Sequence, residues 1–126
     1  MGKVNAGTLG EIYAARYLRE HGYQILTANY RSRFGEIDLI ACDEKYLAFV
    51  EVKTRTGNFQ RPCEAVDRSK QRKIIHTAVC YLANSDTVLQ PRFDVLEVYL
   101  NKKDANVKEI NHIINAFTME AAGEYF

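Results

Sequence analysis

The stretch that decides the fold reads Gly35-Glu36-Ile37-Asp38-Leu39-Ile40-Ala41-Cys42-Asp43-Glu44-Lys45-Tyr46-Leu47-Ala48-Phe49-Val50-Glu51-Val52-Lys53. Two β-rich runs, Glu36 to Cys42 and Tyr46 to Lys53, flank the polar turn Asp43-Glu44-Lys45, and the pair reads as an antiparallel hairpin. Strand side chains alternate, so Glu36 and Asp38 share a face, as do Glu51 and Lys53. Directly opposed residues point the same way, which makes the parity of the loop decisive. An even loop, Glu44-Lys45 or Asp43 to Tyr46, gives one face of Ile37, Leu39, Ala41, Ala48, Val50 and Val52. The other face then carries Glu36, Asp38, Glu51 and Lys53 at the open end, with Ile40, Leu47 and Phe49 nearer the turn. An odd loop would mix these sets and bury carboxylates among aliphatics. The even register is therefore expected.

That register sets Asp38 beside Glu51, a repulsive pair if both stay ionised. A hard divalent cation such as Mg²⁺ would remove the conflict, because it prefers oxygen ligands and binds through one or two carboxylates. Lys53 would then stand beside the ion, able to polarise a water or stabilise charge on a phosphoryl group. The alternative is a surface salt bridge between Lys53 and the acids.

Before the hairpin, a helix is expected from about Asn5 or Thr8 to His21, with Leu9, Ile12, Ala15 and Leu18 near helical spacing and Gly22 closing it. Glu11 lies on or beside the buried stripe of this helix, since Ala14, Ala15 and Leu18 follow it at three, four and seven residues. Two readings stand for it: a third carboxylate of the metal site, or the partner of Thr8 in a capping box. Tyr23 to Tyr30 reads as a strand, and Arg31 and Arg33 fall in the loop before the hairpin, placed to reach a nucleic-acid backbone.

After the hairpin comes a polar loop, Thr54 to Cys63, and then a helix from about Asp67 to Ala83 with Ile74, Ile75, Ala78, Val79 and Leu82 on one face. Gln71 precedes that apolar face at helical spacing, so its amide points towards the sheet and could orient a water or a phosphate. Lys70, Arg72 and Lys73 around it either contact a phosphate backbone or form a solvated face. Arg92 to Leu100 and Val107 to Ile114 read as the last two strands. The order α-β-β-β-α-β-β implies a mixed sheet of about five strands with helices against it, an α/β fold in one domain spanning 1–126.

The 126 residues suffice for one buried core. A net charge of +1 hides a division. The segment 36–52 carries Glu36, Asp38, Asp43, Glu44 and Glu51 against Lys45. The segment 53–73 carries Lys53, Arg55, Arg61, Arg68, Lys70, Arg72 and Lys73 against Glu64 and Asp67. This suits a metal site beside a polyanion groove, although charge alone favours a solvated surface of mixed charge. No apolar run approaches a membrane span, and the first residues lack a signal-peptide pattern. The three scattered cysteines, Cys42, Cys63 and Cys80, argue against a disulfide framework or structural zinc and suit a reducing cytoplasm.

Together these residues resemble the PD-(D/E)XK, or restriction-endonuclease-like, nuclease superfamily. Within it they look like the uncharacterised bacterial YraN-type family, similar to archaeal Holliday-junction resolvases. The likeness is carried by Gly7-Thr8-Leu9-Gly10-Glu11, Gly35 to Ala41, Phe49 to Arg55, and Glu64-Ala65-Val66-Asp67 leading into Lys70-Gln71. The Arg92-Phe93-Asp94-Val95 strand is consistent with it, and Ile37 stands where the motif's name has proline. The resemblance implies metal ligation by Asp38 and Glu51, with Glu11 assisting. It implies Lys53 as the catalytic lysine and Gln71 as a supporting polar residue.

The expectation that follows is a Mg²⁺- or Mn²⁺-dependent deoxyribonuclease acting in DNA repair or recombination, with the basic stretch from Arg55 to Lys73 gripping phosphates. The resemblance to junction resolvases also suggests a homodimer. The rival is a non-catalytic nucleic-acid-binding or protein-interaction module that retains the nuclease fold.

Overall fold

The computed structural model describes residues 5–57 and 66–123. Cys63, Pro62 and the Glu64-Ala65 pair of the fourth motif lie outside them. The elements run α1 (Ala6–Glu20), β1 (Gln24–Ser32), β2 (Gly35–Cys42), β3 (Tyr46–Thr56), α2 (Arg68–Ala83), β4 (Gln90–Leu100) and β5 (Val107–Phe117), followed by a short 3-10 turn over Met119–Ala122. This is the expected α-β-β-β-α-β-β order. One mixed sheet holds the strands in the order β1-β2-β3-β4-β5. Only β3 and β4, joined across the sheet by α2, are parallel.

The sheet is buried on both faces over its centre, which explains the apolar density of β2, β3 and β4. On one face Ala14 and Leu18 of α1 pack on Leu39, Ala41, Ala48, Val50, Leu96 and Val98. On the other, Ile74, Ile75 and Ala78 of α2 cover Ile37, Ile40, Leu47, Phe49, Phe93 and Val95. Full burial of a side chain such as Leu18 or Phe49 contributes about 1.5–3 kcal/mol each. Helix α1 starts on the Asn5 side chain, which accepts the Thr8 N–H at 2.8 Å, and Gly22 takes the left-handed φ of 88° just beyond its end.

The hairpin has the even register. Leu39 pairs with Val50, Ile40 with Phe49, Ala41 with Ala48 and Cys42 with Leu47. Its turn is fixed by Asp43, whose Oδ1 accepts the N–H groups of Lys45 and Tyr46 at 2.8 and 2.7 Å. One expected placement is corrected. Ile37 does not share the face of Leu39 and Ala41 but sits with Ile40 against α2. Alternation breaks at Asp38, where the β2–β3 ladder has ended and where Asn29, in the facing stretch of β1, adopts a φ of 53°. Two strand limits also move: β3 runs on through Thr54 to Thr56, where a loop was expected, and Arg31 lies inside β1 rather than in a loop.

A buried polar centre joins β4, β5 and Tyr23, just before β1. Asp94 is 0% exposed, yet its carboxylate accepts from Arg92 Nε at 2.9 Å, from Arg92 Nη2 at 2.8 Å and from the Asn115 N–H at 2.9 Å. His112 Nε2 lies 2.8 Å from the same carboxylate. Arg92 Nη2 also donates to the Tyr23 hydroxyl at 2.5 Å. Burial raises the Asp94 carboxyl, but His112, Arg92 and the Asn115 amide together hold it below the usual carboxylate range.

Candidate active site

The site forms where strand pairing between β2 and β3 opens. With no β2 ladder partner at this point, the Val52 N–H is taken by Asp38 Oδ2 at 2.8 Å. Glu51, the next residue back along β3, turns to the α2 side, because Val50 and Val52 belong to the α1 side. It is only 6% exposed. Asp38 and Glu51 both line two clefts at once. One, of about 490 Å³, runs along α2 past Gly35, Glu36, Lys70 and Lys73. The other, of about 530 Å³, opens at the start of α1 beside Thr8, Glu11, Thr54 and Lys70.

Glu11 reaches this site from α1. The cap of the helix is Asn5 rather than Thr8, so Glu11 lies beyond the first turn and is not the partner in a capping box. Its side chain lines the α1-side cleft together with Asp38, which helps to raise the Glu11 carboxyl. Gly10 permits this approach: a Cβ there would come within 1.9 Å of Thr54 Oγ1, so only glycine lets α1 lie this close to β3.

The electrostatics follow from crowding. Burial, and then the charge of Asp38, push the Glu51 carboxyl up to about 7 against the pull of Lys70. Asp38 is raised by burial, although the Val52 N–H, the bond with Glu51 and the charge of Lys70 act the other way. Glu11 is raised by burial and by Asp38. Three carboxyls thus hold more protons than they would in water, the state that a hard cation reverses. Among the described residues no three His, Cys, Asp or Glu side chains converge as a ready cage. The donor set fits an ion held by Asp38 and Glu51 that keeps most of its water shell, as Mg²⁺ does, with Glu11 acting on Asp38 or through such a water.

The expected lysine and glutamine are not among the residues that line the two clefts. By alternation Lys53 shares Glu51's side of β3, and it is in register with Glu97 of β4. It is partly buried and lines neither cleft. Glu97 is 1% exposed; its Oε1 accepts from Asn111 at 2.6 Å, and its Oε2 has no hydrogen-bond partner among the described residues. The Gln71 amide donates to the Val66 carbonyl at 2.6 Å and so secures the approach to α2. Lys70 brings a cation to the carboxylates: its Nζ lies 2.7 Å from Glu51 Oε1. The sequence carried a signal for this: Lys70 precedes Ile74 by one helical turn and so lies above the buried stripe of α2.

The other basic residues spread round the clefts. Lys73 lines the α2 side, and Arg72 is exposed beside it. Arg31 pairs with Glu36 at 2.9 Å, and the Arg33 guanidinium lies over the Phe34 ring at 4.8 Å. These two line a hollow that shares Gly35 and Glu36 with the α2-side cleft. Arg55 Nη1 lies 3.5 Å from the Thr54 carbonyl.

A mixed five-stranded sheet between two helices, with an acidic cluster where two strands part, defines the class as an α/β domain with an acidic double cleft. The chain belongs to the uncharacterised protein family UPF0102, whose profile matches residues 10–98. It is 51% identical over 122 residues to a UPF0102 protein of Caldanaerobacter subterraneus subsp. tengcongensis, covering 93% of this chain and 100% of that one. A UPF0102 protein of Acetivibrio thermocellus is 47% identical over 120 residues, covering 91% of this chain and 92% of the relative. One from Clostridioides difficile is 45% identical over 119 residues, covering 93% and 100%. No described helix is long and apolar enough to cross a membrane.

Proposed function

We propose that this protein is a Mg²⁺- or Mn²⁺-dependent deoxyribonuclease of the PD-(D/E)XK type, acting in the cytoplasm on DNA, including branched DNA of repair or recombination. The observation that carries the reading is the pairing of Asp38 with Glu51 at the meeting of two clefts, at the cost of a Glu51 carboxyl pushed up to about 7. A fold does not retain such a pair for stability, since replacing one acid by a neutral group would relieve it.

In this reading Asp38 and Glu51 hold the ion, and the Val52 N–H fixes the Asp38 carboxylate in the orientation it needs. A bound Mg²⁺ would supply Lewis-acid polarisation of the phosphoryl oxygen and a more acidic water. Glu11 steadies Asp38 from α1. Lys53 and Lys70 offer ammonium groups to the phosphate, and Gln71 sets the start of α2 from which Lys70 extends. Arg31, Arg33, Arg55, Arg72 and Lys73 contact the nucleic-acid backbone, whose strands enter by one cleft and leave by the other. A second copy of the chain would give the two sites that a four-way junction presents.

A second reading, a nucleic-acid-binding module without catalysis, draws support from Lys53 lying outside both clefts and from Lys70 tied to Glu51. The deciding experiment is cleavage of linear and four-way-junction DNA with Mg²⁺ or Mn²⁺, with binding followed separately in Ca²⁺. Cleavage by the wild type that is lost in Asp38→Asn, and reduced in Lys53→Ala with ion binding kept, establishes the enzyme. Binding without cleavage over a broad panel establishes the module.

A further inference from the structure

Among the described residues, Lys70 is the cation that lines both clefts. It is the third residue of α2, and its own N–H is held by the capping Asp67 carboxylate at 2.8 Å. The backbone at Lys70 is therefore fixed, while its side chain is 54% exposed on a four-carbon stem. At the far end of that stem the ammonium meets Glu51 Oε1 at 2.7 Å, and the Glu51 side chain is only 7% exposed. A buried carboxylate beside a second carboxylate calls for a cation, and Lys70 brings one to Glu51.

We propose that Lys70 is a placeholder for the metal ion: it occupies the cation's position on Glu51 in the ion-free protein and is displaced into the clefts when the ion binds. The inference rests on reading Asp38 and Glu51 as ligands. A divalent ion brings two charges to a pair that Lys70 meets with one, so it wins the site despite the ion pair. Release of Lys70 is cheap, because half of its side chain is already in water and only the tip must move. The freed ammonium remains over the junction of the two clefts, where a phosphate would lie. Lys70 would thus serve as ion substitute before binding and as a phosphate contact after it.

The test measures Mn²⁺ affinity of the full chain, without nucleic acid, by calorimetric titration and by water proton relaxation. Lys70→Gln removes the competitor and should bind Mn²⁺ about five- to twentyfold tighter than wild type, equivalent to roughly 1–2 kcal/mol. Lys73→Gln removes the same charge from the α2-side cleft without touching Glu51, and should change affinity less than twofold. In a Glu51→Gln background the gain from Lys70→Gln should vanish. In wild type, the Lys70 ammonium resonance of isotopically labelled protein should shift on Mg²⁺ addition, a readout that needs no variant. Equal affinity of wild type and Lys70→Gln, an equal gain in Lys73→Gln, or an unmoved Lys70 resonance under saturating Mg²⁺ overturns the placeholder alone. No Mn²⁺ binding by wild type or by Lys70→Gln overturns the ligand reading as well.

Discussion

The Val52 amide donates to the Asp38 carboxylate at 2.8 Å, so a side chain takes over where the backbone ladder between β2 and β3 stops. The bond ties the candidate ligand to the strand that carries Glu51. Asparagine keeps an oxygen for Val52 but loses the charge that opposes Glu51. Asp38→Asn should therefore fold, melt at or slightly above the wild type without metal, and lose Mg²⁺-dependent cleavage by about 10²-fold or more. Asp38→Ala leaves the Val52 N–H without that acceptor and should be about 1–3 kcal/mol less stable than Asp38→Asn. Thermal melts and single-turnover cleavage of the three proteins check both statements.

Stability of the ion-free protein should fall as pH rises from about 5 to 8. Glu51 titrates at about 7 when folded, against an ordinary value of 4.5. Between those values the folded chain holds a proton that the unfolded chain has released, so stability present below the unfolded value is lost through the folded one. The loss for Glu51 is on the order of 2–3 kcal/mol. Asp38 and Glu11, both raised, act in the same direction. Melting curves in chelator at pH 5.5, 6.5 and 8 measure the trend. Glu51→Gln should flatten it, and saturating Mg²⁺ at pH 8 should restore the lost stability.

The hairpin register was legible because a two-residue turn and a period of two leave one arrangement that keeps carboxylates out of the aliphatic core. It brings Asp38 and Glu51 together just past the last pair of the ladder, Leu39 with Val50. Ile37 was not legible, because its face depends on a left-handed residue, Asn29, in the facing stretch of β1. Nor was the relation of Lys53 and Lys70. Alternation puts Lys53 on Glu51's side of β3, whereas the reach of the Lys70 ammonium to Glu51 depends on how α2 lies over the sheet. Asp94 reads locally as the solvent-facing member of an alternating strand; it is buried because α1 packs on that face and Arg92, His112 and the Asn115 amide close round its carboxylate, a tertiary fact with no local trace. Glu11 stood between two readings until Asn5 proved to be the cap.

Gly10→Ala should destabilise the fold and disturb the site together. Its Cβ would lie 1.9 Å from Thr54 Oγ1 and 2.9 Å from Thr54 Cβ, so α1 must move away from β3, carrying Glu11 from Asp38. Overpacking of this kind costs about 1–3 kcal/mol. Adding Thr54→Ala removes the closest contact and should recover part of the loss. Unchanged stability in Gly10→Ala would mean that α1 does not lie this close.

Removing the Asp94 carboxylate should be the most damaging of these changes to stability, with no direct effect on metal binding. Asp94→Ala leaves Arg92, itself 7% exposed, as an unpaired buried charge, and loss of one partner of a buried pair costs about 3–5 kcal/mol. It also frees the Asn115 N–H and His112 Nε2 from their acceptor. Asp94→Asn, which keeps one oxygen, should cost less. Denaturant unfolding gives the order wild type, Asn, Ala; a Mn²⁺ titration on the folded Asn variant should match wild type.

The basic face of α2 should show itself in salt dependence rather than in sequence preference. Arg72 is exposed, and Lys73 lines the α2-side cleft, so both can meet phosphates without carrying base information. Replacing the two together with glutamine should weaken DNA binding in Ca²⁺ for every sequence tested. The slope of log affinity against log salt should fall by about one unit per lost contact, hence by up to about two. Arg31 is different, because Glu36 already neutralises it at 2.9 Å on an exposed strand. Arg31→Gln should move the slope less than either α2 residue alone. Fluorescence anisotropy with a fixed duplex between low and moderate salt gives all three slopes. An unchanged slope in the Arg72 and Lys73 double variant would remove α2 from the nucleic-acid path and leave the α1-side cleft as the face to test.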